Sequence, residues 1–335
     1  MNAKHLTALA VLAAVSVATT AWVLRASSPT VAADRRGETV VPSLMAKRND
    51  IISLSIRDGS DTLAIERRDN RFVAADSGYP IKTDAVGDVI VSCALLSFQE
   101  ARTSNPARYG DLGLADPGAK DAGKEITFRT ASGELADLLV GNSDPTVGGP
   151  AGGVFIRLKG QPQTFLARGN VRLPSGRSDW FVPFDPDIKS SAIKKVELAG
   201  GGRDGVIASA NAEKPGTFVL ADLPEKRTAD SNKVTQLTTF IDSFTFNDVR
   251  KATKSADDAR RMVVETSDDL HLIITAVGDL TQGWVQIAAQ AKSDAAKNKA
   301  QMIDSKVAGY EFRLPEYKAG MLGWTISDLT SEKQS

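Results

Sequence analysis

Short alternating runs, separated by turn residues and met twice in the same order, limit the folds open to this chain more than any other feature. Ile51–Ile56 alternates, turns at Asp58-Gly59, and is followed by Thr62–Ile65 and Arg71–Ala74. Period-two alternation broken by turn residues predicts an antiparallel meander. Apolar residues then recur at steps of three and four (Ala85, Val86, Val89, Ile90, Cys93, Ala94, Leu96, Phe98), which predicts a helix capped by Thr83 or Asp84 and closed by Phe98–Arg102. Further strands are expected at 125–129, 135–140, 154–158 and 164–167.

The order returns near Ala192 with Val196–Leu198, the Gly200–Gly202 turn, Val206–Ser209 and Thr217–Leu220. A second amphipathic helix is expected from Ser231 or Asn232 through Val234, Leu237, Phe240, Ile241 and Phe244, closed by Phe246–Arg250. Strands at 262–265 and 270–276 then match those at 126–128 and 134–141, and Ala291–Ser305 reads as an exposed, Ala- and Lys-rich helix ahead of Tyr310–Pro315. The expected fold is therefore α+β: two tandem β-rich units, 51–190 and 191–330, each a mostly antiparallel sheet with one main packing helix.

An apolar run precedes both units. Leu6–Leu24 carries no charge and follows Lys4 and His5, so it reads as an export signal. Its 19 residues would make a helix of about 28 Å, close to the ~30 Å of a bilayer core. Residues 1–25 are thus expected to act as a signal-anchor in the inner membrane with the bulk of the chain in the periplasm. Small residues at Ala18–Ala21 and Val31-Ala-Ala33 leave cleavage and secretion to the periplasm as the alternative. Residues 26–50, rich in Ser, Pro, Ala and Arg without periodicity, read as a flexible spacer.

Composition removes several function classes. The 41 basic residues balance 41 acidic ones, so no net field draws nucleic acid. One cysteine cannot by itself build a zinc site, and of the two histidines only His271 lies beyond the apolar run, so metal binding through soft ligands is not expected and no other cofactor is expected. Cys93 has the spacing of a core residue. Ser191-Ala-Ile-Lys194 matches a Ser-x-x-Lys nucleophile pattern but enters a predicted strand and lacks its partner motifs. Asp257-Asp258 and Asp268-Asp269 read as solvated turns, because neighbouring side chains on a strand point to opposite faces. His271 alternates away from Leu270 and Leu272. Trp180, Trp284 and Trp324 fit either core positions or a groove for sugar or peptide.

The Gly141–Gly153 stretch lacks the Gly-Lys-Ser/Thr ending of a phosphate loop and leads into a strand. It reads as a hairpin loop in which Gly148, Gly149, Gly152 and Gly153 are the candidate ligand or partner residues. No catalytic constellation emerges, so a non-enzymatic role is expected.

Arg71-Phe72, Tyr79-Pro80, a helix, Tyr109-Gly-Asp-Leu-Gly-Leu-Ala-Asp-Pro117 and Leu139-Val-Gly141 follow one another in an order that resembles the bacterial family known as domain of unknown function 4340. Many relatives carry Trp where this chain has Phe72 and Phe218. The resemblance implies an exported, membrane-anchored, β-rich protein and supplies no catalytic residues. It also implies partners among ABC-type exporter subunits, and hence an accessory or scaffolding role. The alternative is a periplasmic ligand-binding module with its site between the two units.

Overall fold

The computed structural model describes residues 35–147, 149, 152–242 and 244–333. The apolar run 6–24 and Gly148 lie outside the described residues. In chain order come α1 (Pro42–Ala46), β1 (Ile51–Asp58), β2 (Asp61–Arg68), β3 (Arg71–Ala74), α2 (Thr83–Ala94), β4 (Ser97–Ala101), β5 (Lys124–Thr130), β6 (Gly133–Asp144), β7 (Gly153–Leu158) and β8 (Thr164–Arg168). There follow β9 (Ile193–Ala199), β10 (Val206–Ala210), β11 (Phe218–Leu220), β12 (Arg227–Ala229), α3 (Ser231–Thr238), β13 (Asp248–Lys251), β14 (Arg261–Thr266), β15 (Leu270–Ala276), β16 (Trp284–Ala291), α4 (Lys297–Val307), β17 (Tyr310–Arg313), α5 (Glu316–Leu322) and β18 (Thr330–Glu332).

Two large antiparallel sheets of eight strands each dominate, one in the order β3-β2-β1-β5-β6-β7-β8-β4 and the other β11-β10-β9-β14-β15-β16-β17-β13. Exchanging each strand of the first for its counterpart reproduces the second. The inward rows correspond as well. Leu63, Ile56, Ile126 and Leu138 lie opposite one another across β2, β1, β5 and β6, as Val206, Leu198, Met262 and Ile274 do across β10, β9, β14 and β15. All eight side chains are buried. Among the described residues the compact units are 35–70 with 83–173, and 71–82 with 174–333.

Several elements depart from the expectations. The first helix stops at Ala94, and Phe98 lies in β4 opposite Ala167 of β8. A β-bulge between Phe98 and Glu100 resets the alternation, so the buried pair Phe98 and Ala101 takes a three-residue spacing that imitates a helix. α3 is capped by Asp230, whose carboxylate accepts from the N–H groups of Asn232 and Lys233, and it ends at Thr238. The hydroxyls of Thr235, Thr238 and Thr239 bond back to carbonyls of the preceding turn, which weakens continuation of the helix, and Phe240 and Ile241 are buried from a turn. Asp248–Lys251 is strand β13, paired with β17. The helix expected over 291–305 is α4, and it buries Ala300, Ile303 and Val307 against its own unit.

Residues 35–50, grouped with a spacer on composition, are folded. Thr39 bridges Ser97, Gly37 N–H donates to Phe98 O at 2.7 Å, and Val40, Val41 and Leu44 are buried. Among the described residues no helix is long and apolar enough to cross a membrane.

Candidate functional site

Tyr109–Pro117, the signature stretch, is the longest of the runs that carry the family resemblance, and its geometry follows from a few local rules. The side chain of Asn105 accepts from Ala107 N–H and starts a tight turn with Pro106 in its first position. A second turn, Gly110–Leu112, ends at Gly113 with φ of +66°, a left-handed conformation suited to glycine. This reversal lets Leu114 N–H donate to Tyr109 O at 2.8 Å and sends both side chains inward. Tyr109 and Leu114 pack with Leu139 of β6, with Leu112 and Phe155 against them. The buried Tyr109 hydroxyl donates to Pro162 O at 2.6 Å, and the Arg157 guanidinium lies 4.4 Å from the Tyr109 ring centre while pairing with Asp116.

Leu139–Gly141 meets this loop directly. A β-carbon on Gly141 would fall 2.3 Å from Leu112 O and 2.9 Å from Gly113 O, and one on Gly123 would fall 2.9 Å from Gly113 O. Three backbone segments therefore touch where only glycine fits.

The outer side of the loop forms one wall of a cleft of about 440 Å³. Arg108, Asp111 and Leu112 come from the loop, Glu100 and Arg102 from β4 and the residue after it, and Phe155 from β7. The neighbouring Thr103 is held by Thr164, whose hydroxyl lies 3.0 Å from Thr103 N and 2.7 Å from Thr103 O. Arg102 pairs with Glu100 at 3.3 Å and lies 5.5 Å from the Phe155 ring centre, while Arg108 stands 3.6 Å from Asp111. Two cations and two carboxylates over an apolar floor can hold a dipolar or charged group whose body is apolar. All four charged side chains keep substantial exposure, so such a group can reach them.

The Gly-rich stretch joins β6 to β7 as a hairpin loop. Asp144 anchors its start, accepting from the Thr146 hydroxyl at 2.6 Å and the Thr146 N–H at 3.0 Å, and these bonds hold its carboxyl below the usual range. Gly149 has open space around it, Gly152 N–H donates to Gly149 O, and Gly153 packs against Leu166. Gly149, Gly152 and Gly153 stand outside the cleft wall, on the side of Gly169.

The other sequence candidates do not converge. Lys194 directs its amine to Asp269 at 3.2 Å, and Ser191 sits exposed in a separate turn. Asp268 takes a hydrogen bond from the Thr266 hydroxyl, which lowers its pKa, and the Asp258 carbonyl accepts from Gly201 N–H. His271 lies 3.9 Å from Glu265, which also faces Lys195. Trp180 is buried, and Trp284 is covered by the Arg250 guanidinium 4.1 Å from its ring centre. Cys93 is fully buried, and burial pushes its thiol up to about 12.

Two buried carboxylates, Asp137 and Glu311, lie outside the sequence candidates. Asp137 accepts from Lys159 at 2.5 Å and from Thr127 at 3.1 Å, and the bonds to Asp137 and then Glu125 raise the Lys159 pKa. Glu311 accepts from Arg250 at 2.6 Å, from Thr253 N–H at 2.5 Å and from Gln286 at 3.1 Å. The one available signal was a lone Asp within the apolar Leu135–Leu139 run. Among the described residues no group of three His, Cys, Asp or Glu side chains is placed to hold a metal ion.

A family model described as "Domain of unknown function (DUF4340)" matches residues 72–261. No curated protein and no solved structure matches the chain.

Proposed function

This chain belongs to the DUF4340 family, and we propose that it is a non-enzymatic accessory or scaffolding subunit of an ABC-type envelope transport system. In this reading residues 6–24 hold it in the inner membrane, and the first unit presents its cleft to a partner in the periplasm. The carrying observation is that the signature stretch supplies Arg108, Asp111 and Leu112 to the cleft wall. The long uncharged run supports the tether. We further read the two sheets as copies of one duplicated unit, a reading supported by their matching strand orders.

The test is gentle detergent extraction of native membranes, affinity capture of the chain, and mass measurement of the chain and its companions. Exporter subunits travelling with an uncleaved chain are the expected result. A cleaved, soluble chain recovered alone would overturn the reading. It would favour the second one, a periplasmic ligand-binding module, for which a cleft of about 440 Å³ falls within the usual range of small-molecule sites.

A further inference from the structure

We propose that the first unit carries a second binding surface, built around Arg168 and Arg172, that docks on the phosphate headgroups of anionic phospholipid. The inference rests on the tether proposed above.

The surface is a cavity of about 530 Å³ lined by Ser92, Leu95, Ser97, Arg168, Asn170 and Arg172. Its lining has no carboxylate. Arg168, the exposed last residue of β8, makes no ion pair among the described residues. Arg172 meets Asp88 at 3.3 Å, but both side chains are more than half exposed (58% and 57%), and such a pair yields readily to a competing anion. The end of α2 contributes a partial negative charge of about half a unit, which two guanidinium groups outweigh. The rim also carries Leu95, 65% exposed. A large apolar side chain beside unpaired arginine matches the boundary between headgroup and acyl chain.

Its place in the chain strengthens the assignment. Ser97 in the cavity wall lies opposite Arg168 in the β4–β8 register and is bridged to Thr39 on its other side. The segment arriving from the N-terminal run therefore joins the unit at this wall. Between Arg25 and Thr39 there are 14 residue steps, at most about 50 Å of extended chain. The Gly-rich hairpin borders the same place, since Gly153 lies opposite Arg168 and Gly152 O accepts from Gly169 N–H at 3.1 Å. With an overall formal net charge of zero, attraction to an anionic surface is confined to such a local patch.

The test places an environment-sensitive dye at Leu95→Cys in the full chain. Cys93 is fully buried and does not compete for the label. The chain is assembled into nanodiscs of phosphatidylcholine alone or with phosphatidylglycerol. A blue shift and reduced iodide quenching confined to the anionic discs are expected, both reversed by high salt. Each arginine contributes about fivefold at such a surface, so R168Q/R172Q lowers the docking equilibrium about 25-fold. Identical dye behaviour in the two lipids, with the chain retained in the discs, overturns the proposal and leaves the tether standing. A chain that leaves the discs overturns both. Inorganic phosphate alone producing the same shift overturns the lipid assignment. The wild-type lipid comparison decides the matter even where the arginine variant folds poorly.

Discussion

Gly141 shows how much of the signature is a packing requirement. Its missing side chain leaves room for Leu112 O, and Gly141→Ala would drive a β-carbon to 2.3 Å from that oxygen. Backbone must move, so a loss of about 2–3 kcal/mol is expected in denaturant unfolding. Gly87 in α2 is the contrast: apart from its chain neighbours and the backbone of its own helix, no atom lies within 4 Å of its would-be β-carbon, and Gly87→Ala should stabilise by about 0.5–1 kcal/mol. Glu311 adds a pH dependence. Burial alone would raise its pKa, but bonds from Thr253, Arg250 and Gln286 together hold it below the ordinary 4.5. Its contribution is therefore full above that value and is lost as pH falls through the lowered one. Glu311→Gln should cost about 2–4 kcal/mol near neutrality and flatten the acid limb of stability against pH. An unchanged limb would contradict this account. At this scale the sequence showed the pieces of the signature but not their meeting, because contact between Leu112 and Gly141 leaves no trace in local periodicity.

Elements were legible where one period ran undisturbed. β15 has the expected bounds, Leu270–Ala276, since its burial alternates without a break. β4 mimics the end of a helix because a bulge gives Phe98 and Ala101 a helical interval. The apolar pattern of α3 runs past its end, because Phe240, Ile241 and Phe244 keep a helical phase while packing from a turn and the loop beyond it. Residues 35–50 looked like a spacer because their few apolar side chains have no period of their own and gain meaning only against the first unit. Leu44 is fully buried, so Leu44→Ala should cost about 2–4 kcal/mol in thermal or chemical unfolding. A neutral result would return this stretch to the status of a linker.

For the whole molecule, the recurring order of strands, turn and helix foreshadowed two sheets with one strand order. Unit boundaries were less accessible. Residues 71–82 are grouped with the second unit, where Tyr79 packs its ring against Phe181, Phe246, Tyr310 and Phe312 at centroid distances of 5.0–5.9 Å. Such long-range aromatic packing cannot be read from neighbours in sequence. The cleft was likewise hidden, because its walls come from β4, the signature loop and β7. The central claim is that this cleft meets a transport partner. A photo-reactive residue placed at Arg108 in the cleft, with Tyr317 of the second unit as the exposed control, tests it in native membranes. An adduct with a transporter subunit from position 108 and none from position 317 is predicted. No adduct at 108, or equal adducts from both positions, would contradict the claim.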